Sequence, residues 1–215
     1  MIPAQVIALF LKAPIAGQVK TRLARDIGDQ AACELYYRLV EHAIDGSLAS
    51  SMPLVICHDG RREELPDSWL QKACEVLPQT GLDLGQRMAN AFCILFSEGA
   101  EQVVLIGSDI PGIDATYLRN GFEQLGNSDL VIGPAVDGGY CLIGCNRQAF
   151  NPGLFEQIPW STGQVLELTL AAAESAGLSV ALLSTLRDID TLEDLRELDK
   201  ESGGTKPWRD NQEYF

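Results

Sequence analysis

The stretch QVIALFLKAPIAGQVKTRLA, Gln5 to Ala24, sets the reading of the whole chain. Six apolar residues in a row, Val6 to Leu11, form a candidate strand, which then breaks into a loop holding Lys12, Lys20 and Arg22 around Gly17. A loop just beyond the carboxyl end of a strand is where open α/β sheets bind ligands. Further along, similar short apolar runs recur as PLVICH, CEVLP, QVVLIG, DLVIGP and LSVALL. Between them, DQAACELYYRLVEHAIDGSL, LGQRMANAFCILFSEG, DATYLRNGFEQLG and QVLELTLAAAESAG carry apolar residues at helical spacing. Gly or Asn closes several of these, as helices usually end. The alternation predicts a three-layer α/β/α fold built on a mostly parallel sheet. YCLIGC follows GPAVDGG with no helix between them, which predicts a small antiparallel insertion. One domain is expected over residues 1–198. A polar, turn-rich tail over 199–215 is expected to pack on the surface through Trp208 or Phe215, or to stay mobile.

Composition narrows the function. The 215 residues carry 30 acidic and 16 basic side chains, a formal net charge of -14, which argues against nucleic acid and anionic membranes as partners. Any phosphate must therefore be met locally. The six cysteines include no CxxC pair and mostly sit inside apolar runs, including Cys93 in NAFCILF, so they read as small buried hydrophobes in a reducing cytoplasm. With neither a signal-like start nor a membrane-length apolar run, a soluble cytoplasmic protein is expected.

Four places could carry chemistry. In the first loop, Gly17 permits a close turn, and Lys12, Lys20 and Arg22 suit phosphate oxygens. A solvated basic loop offsetting nearby acids would look the same, and neither a Walker A nor a GxGxxG spacing is present. Gly107-Ser108-Asp109-Ile110-Pro111 follows a strand directly, so Asp109 could hold Mg²⁺ or Mn²⁺ against a diphosphate, or merely cap a turn. Asp188 and Asp190 would share one side of an extended segment and could complete that metal site. Asp190 or Thr191 could equally cap the helix LEDLREL, with Glu193 or Asp194 in its first turn. Finally, Asp137, Gly138 and Gly139 could form a binding lip or a plain hairpin. In PWST, Ser161 and Gln164 are spaced as a capping box, and Trp160 is expected to pack as core or lid before serving as a ring platform. Neither His42 nor His58 has the surroundings of a hydrolase triad or a zinc site.

Taken together, KAPIAGQVKTRLA, GLDLGQRM, GSDIP, GPAVDGGYCLIG, PWST and DIDTLEDL resemble a bacterial family of glycosyltransferase-A-fold proteins, nucleotide-diphospho-sugar transferase-like. That family is related to 2-phospho-lactate guanylyltransferase and molybdenum-cofactor guanylyltransferase. The resemblance spans about Ile7 to Leu198 and rests on six motifs in order, which is far more specific than any one of them. It implies a nucleotide across the first half of the sheet, with Gly17, Lys20, Thr21 and Arg22 around its phosphates. It also implies that Gly81, Asp83, Leu84, Gly85 and Arg87 border the base, and that Asp109 and Asp190 bear the metal with Asp188 helping. Asp137, Gly138, Gly139 and Tyr140, with Trp160, Ser161 and Thr162, would shape the acceptor side. Two departures stand out: SDIP replaces the usual DxD, and the first loop lacks the paired glycines of sugar nucleotidyltransferases.

Three functions follow as expectations. A glycosyltransferase would move a sugar from a nucleotide-diphospho-sugar to a small acceptor, with Asp109 and Asp190 on the metal and Asp137 as a base. In a nucleotidyltransferase, a small phosphorylated or carboxylate acceptor would attack the α-phosphorus of a nucleoside triphosphate, take the nucleotidyl group and release pyrophosphate, which suits the cationic loop. A regulator would bind nucleotide without turnover. The family resemblance favours the first, and no oligomeric state is read from the sequence.

Overall fold

A computed structural model describes residues 2–201. It contains seven strands, β1 (Gln5–Lys12), β2 (Leu54–Asp59), β3 (Glu75–Pro78), β4 (Gln102–Ile106), β5 (Leu130–Pro134), β6 (Tyr140–Asn146) and β7 (Val180–Leu182). The α-helices are α1 (Thr21–Ile27), α2 (Asp29–Ala49), α3 (Asp67–Leu70), α4 (Leu84–Ser97), α5 (Ala115–Leu125), α6 (Val165–Ser175) and α7 (Leu192–Glu201). All the strands join one sheet in the order β3-β2-β1-β4-β6-β5-β7. Only β6 runs antiparallel, and it pairs with both β4 and β5. This is the expected three-layer fold, with YCLIGC built into the sheet rather than hung from it.

The alternation along β1 shows why this sequence makes a covered sheet. Ile7, Leu9 and Leu11 pack with Tyr36, Val40 and Ile44 of α2 and with Leu118 and Phe122 of α5. Val6, Ala8 and Phe10 pack on the other side with Met88, Phe92 and Leu95 of α4. Each Val, Leu, Ile, Phe or Met among them, once fully buried, contributes about 1.5–3 kcal/mol. A strand apolar at every position is thereby satisfied on both faces.

The connections then place the site. The chain leaves β1 outward through β2 and β3 and returns as β4 on the other side of β1. Such a reversal opens a crevice at the carboxyl ends of the two diverging strands. The cationic loop after β1 and the GSDIP segment after β4 flank that crevice.

Three details depart from the sequence expectations. Thr21 to Ile27, read as the end of a loop, is helical, and Leu23 and Ala24 are buried against α2, Ile189 and Leu195. Ser161 caps nothing: it has φ +65°, and α6 begins only at Val165, with Gln164 at its N-cap. Cys93 and Cys74 are exposed, because Cys93 falls on the outward face of α4, while the other four cysteines are buried. The tail expected at 199–215, with Trp208 and Phe215, lies outside the described residues apart from the last turn of α7. No helix among the described residues is long and apolar enough to cross a membrane.

Candidate functional site

After β1 the chain turns at Gly17, whose φ of +81° suits glycine, and reaches Lys20, which sits in the left-handed region at φ 48°, ψ 41°. The Lys20 side chain points inward. Its Nζ donates to Asp109 Oδ2 at 2.7 Å and to Asp190 Oδ1 at 2.7 Å, and the side chain is only 4% exposed. Burial by itself would lower the Lys20 pKa, but the carboxylates of Asp109 and Asp190 outweigh it and hold it above the usual lysine value. The lysine is therefore charged. Arg22 Nη1 stands 3.4 Å from Asp190 Oδ2, and Lys12 extends outward, 3.8 Å from Asp59.

Local packing explains why three distant segments meet here. The Ile189 amide donates to the Asp109 carbonyl at 3.2 Å, and the fully buried Ile189 side chain pins DIDT to the α1–α2 cluster. Thr191 and Asp194 form the helix cap: the Thr191 amide and hydroxyl donate to Asp194 Oδ2 at 2.8 and 2.7 Å, and the Asp194 amide donates to Thr191 Oγ1 at 3.2 Å. The cap thus falls to Thr191, which leaves the Asp190 carboxylate free to meet Lys20.

Two adjoining cavities open at this meeting point. One, of about 460 Å³, is bordered by Lys12, Lys20, Thr21 and Arg22, with Ser108 and Gln79. The other, of about 330 Å³, has an apolar floor that includes Leu142 and Ile143, and is bordered by Asp109, Asp137, Asp188 and Asp190. Among the described residues no Lys, Arg or His borders this second cavity. Phe10, Leu84, Gly107, Asp109 and Asp190 belong to both. Burial first, then the charges of Asp137, Asp109 and Asp190, push Asp188 up to about 6. The cations thus border the first cavity only, Asp137 and Asp188 the second only, and Asp109 and Asp190 lie between them on both.

Other expected site residues are distributed unevenly. Gly139, Tyr140, Trp160, Ser161 and Thr162 border the acidic cavity, where Trp160 meets Tyr140 edge to face at 6.4 Å. Asp137 accepts from the Gly139 amide at 2.9 Å, and Gly138, at φ +87°, lies too close to the Gly163 backbone to carry a side chain. Of the segment from Gly81 to Arg87, only Leu84 reaches the cavity walls. Asp83 caps α4 through the Gln86 amide at 2.8 Å, and Arg87 pairs with Asp59 at 2.9 Å. Gly85 makes room for its neighbours, since a Cβ there would lie 2.5 Å from the Phe155 carbonyl and 2.6 Å from the Trp160 ring. Gly17 shapes the first loop without bordering either cavity.

The metal expectation can be tested against the donors present. Asp109, Asp188 and Asp190 offer the hard oxygen ligands that Mg²⁺ and Mn²⁺ prefer. Among the described residues no three His, Cys, Asp or Glu side chains are grouped closely enough to hold a metal ion. Two carboxylates suffice where substrate phosphates and water supply the remaining ligands, as is usual for Mg²⁺. The expected trio with Asp188 is not gathered; Asp109 and Asp190 alone converge, and the Lys20 ammonium sits between them, 2.7 Å from each.

Two residues escaped the sequence reading. Tyr36, within an apolar helical face, accepts from the Lys12 amide at 2.8 Å and stands 3.3 Å from Ser108 Oγ, tying the first loop to GSDIP. Gln79 donates to the Leu11 and Cys57 carbonyls at 3.3 and 2.8 Å, joining the ends of β1 and β2. Periodicity marked Tyr36 as core, and only the fold shows where its hydroxyl ends.

A family model described as "Uncharacterized protein conserved in bacteria (DUF2064)" matches residues 46–162. Among solved structures, one from Desulfovibrio desulfuricans G20, described as a "putative nucleotide-diphospho-sugar transferase", matches with a TM-score of 0.89 and 33% identity, over 97% of this chain and 91% of that one. Two more distant structures share the fold. A nucleotidyl transferase from Methanothermobacter matches with a TM-score of 0.60 and 15% identity, over 91% of this chain and 96% of that one. A Mycobacterium tuberculosis H37Rv protein in complex with manganese matches with a TM-score of 0.53 and 16% identity, over 90% of this chain and 97% of that one. None of the curated proteins matches the chain.

Proposed function

The chain belongs to the bacterial family described as uncharacterized (DUF2064), and from that premise we propose a nucleotide-binding transferase that moves a sugar from a nucleotide-diphospho-sugar to a hydroxyl of a small uncharged acceptor. The confinement of the cations to the first cavity carries this reading. A diphosphate suits the cavity bordered by Lys12, Lys20, Thr21 and Arg22. An acceptor in the other cavity would face four carboxylates and no cationic side chain. A phosphate or carboxylate acceptor, the kind expected above for nucleotidyl transfer, would be repelled there, while a neutral hydroxyl compound would not. The Desulfovibrio desulfuricans structure, similar across nearly the whole chain, carries a description of the same class.

The residues then take roles. Asp109 and Asp190 would hold Mg²⁺ or Mn²⁺, and a bound ion would supply the positive charge that steadies a departing nucleoside diphosphate. Arg22 and Lys12 meet the outer phosphate oxygens. Asp188, which borders the acceptor cavity, is assigned to take the hydroxyl proton, while Asp137 is engaged by the Gly139 amide. Trp160 gives the acceptor a flat apolar wall. A cytoplasmic setting belongs to the same reading, supported by six cysteines that are all free.

Nucleotidyl transfer remains the second reading, favoured by the three cations of the first cavity. A thermal-shift panel separates the two, because a ligand that binds only the folded state raises Tm. Nucleotide sugars with Mg²⁺ or Mn²⁺ are expected to raise Tm more than nucleoside triphosphates do, and the excess should vanish in chelator. A larger shift with a triphosphate would replace the first reading by the second.

A further inference from the structure

We propose that Lys20 is a built-in placeholder cation, which occupies the metal position between Asp109 and Asp190 until an arriving nucleotide draws it away, so that the divalent ion enters with the nucleotide and not before. This rests on the metal assignment above and adds the order in which the two ligands bind.

Geometry carries the inference. Lys20 Nζ makes equal 2.7 Å contacts to carboxylates that are 89 and 170 residues away in sequence, and its side chain is 4% exposed. Lys12, in the same loop, is 61% exposed and makes one loose contact. A divalent ion shared by Asp109 and Asp190 would need the space that the ammonium fills, at roughly 2.0–2.1 Å from each oxygen for Mg²⁺. Two cations cannot share that point, so one excludes the other. Lysine is the side chain suited to leaving, being a point charge on a flexible four-carbon stem.

The route out is already present. Lys20 borders the cationic cavity with Thr21 and Arg22, so phosphate oxygens there would offer the ammonium a new partner close by. Without phosphates, pulling Lys20 off leaves it in water and leaves the carboxylates to an ion that holds few other protein ligands. With phosphates, both cations are satisfied together. Nucleotide and metal are thereby coupled, each raising the affinity for the other by the same factor. The backbone agrees with a residue held for a purpose: φ 48° is a region that a non-glycine residue keeps only where its surroundings enforce it.

The test uses Mn²⁺ alone, without nucleotide, titrated while the free-ion paramagnetic resonance signal is followed. Wild type is expected to bind Mn²⁺ weakly, and Lys20→Met and Lys20→Gln to bind it at least roughly tenfold more tightly. Lys12→Met removes an exposed charge from the same loop and should stay within about twofold of wild type. Mn²⁺ should also raise the Tm of the Lys20 variants more than that of wild type. A structural salt bridge would behave otherwise, since its loss would lower Tm without improving metal affinity. The proposal is overturned if the Lys20 variants bind Mn²⁺ no more tightly than wild type, if Lys12→Met gains as much, or if none of the proteins binds the ion. None of these outcomes touches the preference between nucleotide sugars and triphosphates, so the sugar-transfer reading stands or falls on its own experiment.

Discussion

Asp188 carries a charge that its surroundings resist. Burial, then Asp137, Asp109 and Asp190, raise its pKa from 3.8 to about 6, so the folded protein holds this proton more tightly than the unfolded chain does. The sign follows: its contribution favours folding below about pH 4, declines as pH rises from 3.8 to about 6, and remains unfavourable above that. Asp188→Asn should therefore raise Tm at pH 7.5 in chelator, and the gain should shrink as pH falls toward 4. The same variant should lose turnover while keeping nucleotide affinity, a gain in stability at the expense of activity. A Tm below wild type at pH 7.5 would contradict this account. Asp109, Asp188 and Asp190 were legible in the sequence because each follows a strand-ending pattern. The bridge through Lys20 was not, because residues in three distant segments meet only once the sheet has formed.

At the scale of elements, two helix starts do different work. The Thr191–Asp194 cap begins α7 and holds the segment whose Asp190 meets Lys20. Thr191→Ala should cost about 1 kcal/mol of stability in denaturant unfolding. It should change Mn²⁺ affinity little, since Asp190 is not the cap. At α4, Gly85 lets the helix pass under Trp160, and Gly85→Ala should cost about 1–3 kcal/mol while shifting that ring. Acceptor binding would suffer more than nucleotide binding, measurable by comparing the two affinities in one variant. The family resemblance placed Gly85 at the border of the base, and it could not reveal that the glycine is required by a tryptophan 75 residues away. Likewise α1, at seven residues, is too short for helical periodicity to register, and Ser161 looked like a cap only because the helix was expected to begin earlier.

Across the whole molecule, the strands and their mostly parallel sheet were legible wherever apolar runs alternated with helices, their order was not, and the formal charge of -14 already implied that anions are met locally. That charge has a kinetic signature. At ~0.01 M salt the Debye length is about 30 Å, so a nucleotide approaching the crevice feels the acidic remainder as well as the loop. Association measured by stopped flow should be faster at 0.15 M salt, where screening spans about 8 Å, the reverse of a protein with a basic surface. The placement of β6 has a different consequence, in time rather than charge. β4 ends at Ile106, yet the strand that covers its second edge is complete only at Asn146. On a ribosome adding roughly 5–20 residues per second, that edge waits some seconds with its amides and carbonyls unpaired. The half of the sheet that bears the cationic loop is thus made first, and for that interval the nascent chain offers neighbouring chains an open strand.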